Sequence, residues 1–205
     1  MPIERAVCMI EIIFISAVVL VGVVGLLLLP KLLPDHDRLL GRVKVVLLLL
    51  YILVILYETL LSRSITGYAS YKLSLFWSYR RALSLYQGSD GWRLLITDSA
   101  LLKQIILNIL LYIPFGYLLP FARPRLAKPK RASSRFSVIR VLGKFPWTIV
   151  LIGTLFSVGI EIAQLFFRLG LFELDDIFNN TVGCLLGVIL YQLLLRPGSK
   201  KTDPA

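Results

Sequence analysis

Five stretches of this chain stay apolar for about twenty residues each, and no other feature limits its fold so strongly. The hydrocarbon core of a bilayer is about 30 Å thick and a helix rises about 1.5 Å per residue, so about 20 apolar residues cross it. The stretches are Val7–Leu29, Val43–Leu61, Leu101–Phe121, Pro146–Phe167 and Ile177–Leu195. Inside lipid no water pairs the backbone, so each must be a helix that satisfies its own amides and carbonyls. The expected fold is an all-α, polytopic membrane helix bundle of about five transmembrane helices. It forms one domain over residues 1–195, with a short tail at 196–205. Composition agrees: 57% of residues are hydrophobic, 17% are charged and the mean hydropathy is +0.79. Soluble domains carry about 25% charged residues. The N-terminus has its charge balanced by Glu4 and Glu11, and its apolar run is longer than a signal-peptide core, so it reads as a retained span.

Orientation follows from Ala122–Lys144, which holds eight Lys or Arg and no acid. The positive-inside rule places it in the cytoplasm. Alternation then sets the N-terminus outside and the C-terminus inside, with Ser62–Ser99 and the Arg168–Asp176 turn external. Ser62–Ser99 is too polar to cross. Its Tyr68, Tyr71, Trp77, Tyr79, Tyr86 and Trp92 suit a membrane interface, where one end of the ring is wet. Its Arg63, Lys72, Arg80, Arg81 and Arg93 run against the rule. The net charge of +11 fits cytoplasmic loops facing anionic lipid. The lipid bilayer is therefore the expected partner. Nucleic acid is not, because no basic helix stands outside the apolar segments.

Cys8 and Cys184 lie in apolar sequence without metal-ligand spacing and read as buried thiols. With His36 as the one histidine, a zinc site is not expected. No cofactor is implied, and a divalent cation would need oxygen ligands.

The chain has only 12 acidic residues, and four of them fall between Ile160 and Gly187. Ionisable groups are costly in lipid and turn toward a bundle interior or a wet cavity. Glu161, Gln164 and Arg168 stand at i, i+3 and i+7, on one helix face. Asp176, Asn180, Gly183 and Gly187 share a face of the last span, where the two glycines permit close helix approach. Gln104 and Asn108 share a face of the third span, ahead of a kink expected at Pro114. On the assigned orientation these groups, with Glu58 and Arg63, sit at one external level. The residues expected to form an outward-facing polar pocket are Asn108, Glu161, Gln164, Asp175, Asp176 and Asn180, with Arg63 and Arg168. Each has a plainer reading. Asp175 and Asp176 can cap a helix. Gln104 and Asn108 can be interhelical glue. Glu58 can snorkel.

"NILLYIPFGYLLP", "EIAQ" and "LFELDDIFNNTVGCLLG", in that order, resemble the VanZ-like family of bacterial membrane proteins. The likeness rests on Asn108, Pro114, Phe115 and Gly116; on Glu161 and Gln164; and on Asp175, Asp176, Asn180, Thr181, Gly183 and Gly187. "LLSR", Leu60–Arg63, is similar to that family's exit from its second span, and the likeness runs from about 47 to 191. Many members have Arg where Gly170 stands, whereas this chain has Arg168 two places earlier. The resemblance implies a multi-pass protein of the bacterial cytoplasmic membrane and reduced susceptibility to teicoplanin-type lipoglycopeptides. It supplies no reaction.

Three functions fit these residues. One is binding or remodelling of an outer-leaflet or cell-wall-related molecule, with external Arg63, Arg80, Arg81 and Arg93 contacting phosphates. Another is an envelope enzyme using Glu161 and Asp176 as acid and base, or holding Mg2+ or Ca2+. No Ser–His or Cys–His arrangement supports a nucleophilic triad. A transporter is disfavoured, since polar groups keep to one half and no inverted repeat is evident.

Overall fold

The computed structural model describes residues 37–63, 65, 70–86, 100–122 and 146–195. Five α-helices and two short strands run through them. Helix α1 covers Asp37–Leu56 and continues as a π-helical turn, Tyr57–Leu61. Strand β1, Ser70–Lys72, and helix α2, Trp77–Tyr86, follow. Then come α3, Ala100–Ala122, and α4, Trp147–Phe167. Strand β2, Leu171–Glu173, leads directly into α5, Leu174–Leu195.

Four of these helices are long and apolar enough to cross a membrane: Gly41–Leu61, Leu101–Ala122, Trp147–Phe167 and Leu174–Leu194. They match the second to fifth expected spans. The first, Val7–Leu29, lies outside the described residues, as do the basic loop and the tail. The last span begins earlier than its apolar pattern suggested, because Asp175 and Asp176 occupy its first turn. Carboxylates there face the unpaired amides and the positive end of the helix dipole.

Side-chain distribution is that of a membrane bundle. Val46, Leu49, Leu50, Leu53 and Tyr57 form an exposed stripe on α1, and Leu151, Leu155, Ile162 and Phe166 form one on α4. The interior mixes apolar side chains with polar ones. Helix α3 lies at the centre, contributing Leu111, Tyr112, Phe115, Tyr117 and Leu118 to a core shared with Tyr51, Ile55, Ile149, Ile160, Cys184 and Val188. It stays helical through Pro114 and Pro120. A proline removes one amide donor from the ladder. Beside Pro114, the Tyr51 hydroxyl donates to the Leu111 carbonyl at 2.8 Å.

Helices α3 and α5 pack backbone to backbone. A Cβ on Gly116 would overlap the Cys184 carbonyl, one on Gly183 the Ile109 carbonyl, and one on Gly187 the Ile113 carbonyl. A side chain at Gly153 would strike Cys184 Sγ from the α4 side.

Part of the connection from α1 toward α3 forms regular structure. Strand β1 pairs in parallel with β2, matching Ser70 to Leu171, Tyr71 to Phe172 and Lys72 to Glu173. The Arg168–Asp176 stretch, expected as an external turn, is therefore a strand and a helix start. Arg168 ends α4 in the left-handed conformation, φ 55°, with Leu169 N donating to the Gln164 carbonyl at 2.9 Å.

Candidate functional site

The start of α5, the end of α4, the start of α3 and the π-helical end of α1 meet at one end of the bundle, beside the β1–β2 pair. Each brings a polar side chain. Helix α4 presents four on one face at Thr154, Ser157, Glu161 and Gln164, the spacing that stacks side chains along a helix. Thr154 and Thr181 hydroxyls meet at 3.0 Å. Asn180 Nδ2 donates to Ser157 Oγ at 2.8 Å. The Glu173 amide donates to Glu161 Oε2 at 3.0 Å. Gln164 Nε2 donates to the Thr59 carbonyl at 3.0 Å. That last bond depends on the π turn. Its wider register displaces carbonyls from the ordinary ladder, and Thr59 Oγ1 and Ser62 Oγ donate to the Ile55 and Glu58 carbonyls at 2.7 and 2.8 Å.

From α3, Gln104 Nε2 donates to both Asp176 oxygens at 3.1 Å and reaches Glu173 Oε2 at 3.5 Å. Asn108, one turn on, bears on Asp176, although its Nδ2 closes no hydrogen bond of ordinary geometry. Tyr112 follows, with its hydroxyl beside Ser157. Glu161, Glu173 and Asp176 are only 2%, 6% and 4% exposed. The positive charge of Arg63 acts on all three. Its Nη1 lies 2.9 Å from where a Cβ on Gly170 would stand.

Three carboxylates lie together away from water beside Arg63, where burial and like charge both act on Glu173. Glu173, outside the spans, carries the sign of this: its carboxyl is pushed up to about 7. Burial is the main cause and the neighbouring Asp176 charge the next, while Gln104 and Arg63 oppose them. An acid titrating near neutrality can give or take a proton. Among the described residues, no group of three or more Asp, Glu, His or Cys side chains can hold a metal ion.

The sequence-derived residues thus divide. Glu161, Asp176, Asn108, Gln164, Asn180 and Arg63 occupy this end of the bundle. Asp175 is fully buried but turned toward α2. Its Oδ1 accepts from Phe76 N at 2.5 Å, and its Oδ2 from Ser78 N and Ser78 Oγ at 2.9 and 2.5 Å. It holds the start of α2 in place. Arg168 is exposed at the end of α4, and the donor that meets Glu161 is the Glu173 amide instead. Glu173 was read as part of an accessible turn, but pairing of β2 with β1 buries it. Ser157 and Thr154 escaped notice because hydroxyls are common in apolar spans. Their i, i+3, i+7 and i+10 register with Glu161 and Gln164 was the available signal.

Some buried polar atoms in this region lack a partner. Gln164 Oε1, Asn180 Oδ1, Tyr112 Oη and Asn108 Nδ2 have no hydrogen-bond partner among the described residues. Two of the four are acceptors, one is a donor and the tyrosine hydroxyl is both.

The family model for VanZ/LLP1 matches residues 47–195, which takes in every helix of this site. The chain belongs to the VanZ/LLP1 family. A curated VanZ relative, Protein VanZ of Enterococcus faecium, is 31% identical over 121 residues, covering 59% of this chain and 59% of the relative. The chain thus spans under two thirds of the length of the curated VanZ protein that it matches. No solved structure matches it. As a VanZ/LLP1 member with four helices of membrane-spanning length, it is a multi-pass membrane protein.

Proposed function

We propose that this protein works in the bacterial cytoplasmic membrane with its polar cluster toward the cell exterior, N-terminus out and C-terminus in. There it binds or remodels an outer-leaflet or cell-wall-related molecule and lowers susceptibility to teicoplanin-type lipoglycopeptides. The observation that carries the reading is the burial of Glu161, Glu173 and Asp176 at one end of an apolar bundle, beside Arg63. So many costly groups in one place need a compensating role. The buried carboxylates favour a ligand that brings hydrogen-bond donors, such as an amine or a polyhydroxylated head group. Asn108, Gln164 and Asn180 would orient it, with Arg63 taking any anionic part.

A second reading is a carboxylate-based envelope enzyme. It is favoured by Glu173, an acid that titrates near neutrality beside other carboxylates. A divalent cation bound through mixed oxygen ligands would belong to this reading.

Glu161→Gln and Asp176→Asn keep shape but remove charge. Each is expected to abolish the protection from teicoplanin that the wild-type chain gives a susceptible host, at equal membrane abundance. Full protection by both variants would end the proposal. Turnover of an envelope lipid by purified protein, lost in both variants, would decide for the enzyme.

A further inference from the structure

Between the first two described spans lies a segment that the polar cluster does not use. Over residues 70–86 the sequence has Lys72, Arg80 and Arg81 and no acid. All three cations are exposed. Tyr71, Leu73, Leu75, Phe76 and Leu83 are also exposed, by 67%, 59%, 44%, 40% and 63%. Lys72 Nζ sits 4.5 Å over the Trp77 ring, and Arg80 Nη2 donates to Ser74 Oγ at 2.7 Å. Basic and apolar side chains so interleaved match a lipid head-group boundary, where phosphates lie just above the acyl chains.

The segment is held firmly. Phe76 adopts φ 60°, a left-handed conformation that crowds a bulky side chain. Asp175 holds it there through Phe76 N and Ser78, and the Phe76 ring meets Phe178 at 5.0 Å and Tyr79 at 5.7 Å. Tyr79 also hydrogen-bonds Asn179. One buried carboxylate, next in sequence to Asp176 of the cluster, thus fixes the start of α2, which carries Arg80 and Arg81, while pairing of β1 with β2 places Lys72.

We infer that β1–α2 is a docking surface for the phosphate head groups of anionic bilayer lipid, built from Lys72, Arg80 and Arg81, with Asp175 as its positioning residue. Charge complementarity carries this: three exposed cations stand among exposed apolar side chains in a segment that has no acid of its own. It is independent of the ligand assigned to the acid cluster.

Trp77 is a reporter inside the surface. In a Trp92→Phe, Trp147→Phe background it is the remaining tryptophan. The protein is placed in phosphatidylcholine vesicles containing a minor fraction of brominated phosphatidylglycerol or brominated phosphatidylcholine. Quenching then reads each lipid's enrichment beside Trp77. Phosphatidylglycerol should be enriched, and each cation changed to Gln should lower that preference about fivefold at low salt. Asp175→Asn leaves every cation in place yet should also weaken the preference, by releasing the start of α2. Ser78→Ala serves as the milder variant if Asp175→Asn fails to fold. Equal quenching by the two lipids in the parent protein overturns the inference. So does an undiminished preference after Lys72→Gln, Arg80→Gln and Arg81→Gln together. An unchanged preference in the folded Asp175→Asn or Ser78→Ala variant removes the positioning role.

Discussion

Replacing Gly187 by Ala tests the helix pair on which the whole site is mounted. A Cβ there would stand 2.7 Å from Tyr117 N and 3.0 Å from the Gly116 carbonyl carbon, as well as on the Ile113 carbonyl. Ordinary contact needs about 3.5–4.0 Å and the Ile113 carbonyl oxygen would be at 2.1 Å, so α5 must back away from α3 by more than about 1 Å. A gap of only about 0.5–1 Å already forfeits about a quarter to a half of each van der Waals attraction along the seam. Backbone atoms cannot rotate aside as a side chain would. Overpacking of this kind costs about 1–3 kcal/mol. Against it stands the helix propensity gained on going from Gly to Ala, about 1 kcal/mol. Gly41 and Gly159 supply the control, because a Cβ at either meets nothing within 4 Å. Gly41→Ala and Gly159→Ala should therefore keep or raise stability while Gly187→Ala lowers it. Reversible unfolding in mixed micelles, followed by circular dichroism, gives the sign for each. The reasoning fails if Gly187→Ala is as stable as the parent, or if all three variants shift together.

Glu173 makes stability depend on pH. Its folded value, about 7, exceeds the ordinary 4.5, so the folded protein binds the proton more tightly than the unfolded chain. The contribution is complete below about pH 4.5 and is lost as pH rises through 7. Thermal unfolding of the parent should drop across that window, and Glu173→Gln should flatten the drop. Gln104→Leu strips Asp176 and Glu173 of a shared amide and should cost about 1.5–3 kcal/mol, the range for hydrogen bonds to charged groups. The same unfolding assay measures it, and a loss below 0.5 kcal/mol would be too small for a shared donor. For topology, Ser133→Cys should resist a membrane-impermeant thiol reagent in whole cells while Arg168→Cys reacts. The opposite pattern reverses the orientation.

The sequence made the helices legible because the bilayer demands long apolar runs, and the ends of α3 and α4 fall within a residue of the apolar boundaries. It also marked Glu161 and Asp176, since any acid in such a segment stands out. What it hid was non-local. Pairing of Ser70–Lys72 with Leu171–Glu173 leaves no periodic trace in three-residue strands. Hence neither the burial of Glu173 nor its link to Gln104 could be read from spacing. Asp175 and Asp176 are neighbours of equal chemistry in the sequence. A helix turn of about 100° per residue aims one at α2 and the other at α3. Of the two cations expected beside the acids, Arg63 is the one whose charge reaches all three. Arg168 shares the helical register of Glu161, but its left-handed backbone takes it off the helix, and Arg63 brings its charge from another span.

The bond between Asp175 and Phe76 joins residues 99 positions apart. Chains grow at about 5–20 residues per second, so the first helices wait roughly 5–20 seconds for their fastening to be synthesised. Until the last span leaves the insertion machinery, Ser70–Lys72 has an unpaired edge and the start of α2 lacks its acceptor. Biogenesis therefore closes the protein from its C-terminal side, like a clasp added after the links. A chaperone or protease surveying unfinished copies would find this segment open in every chain that stops short of Leu171.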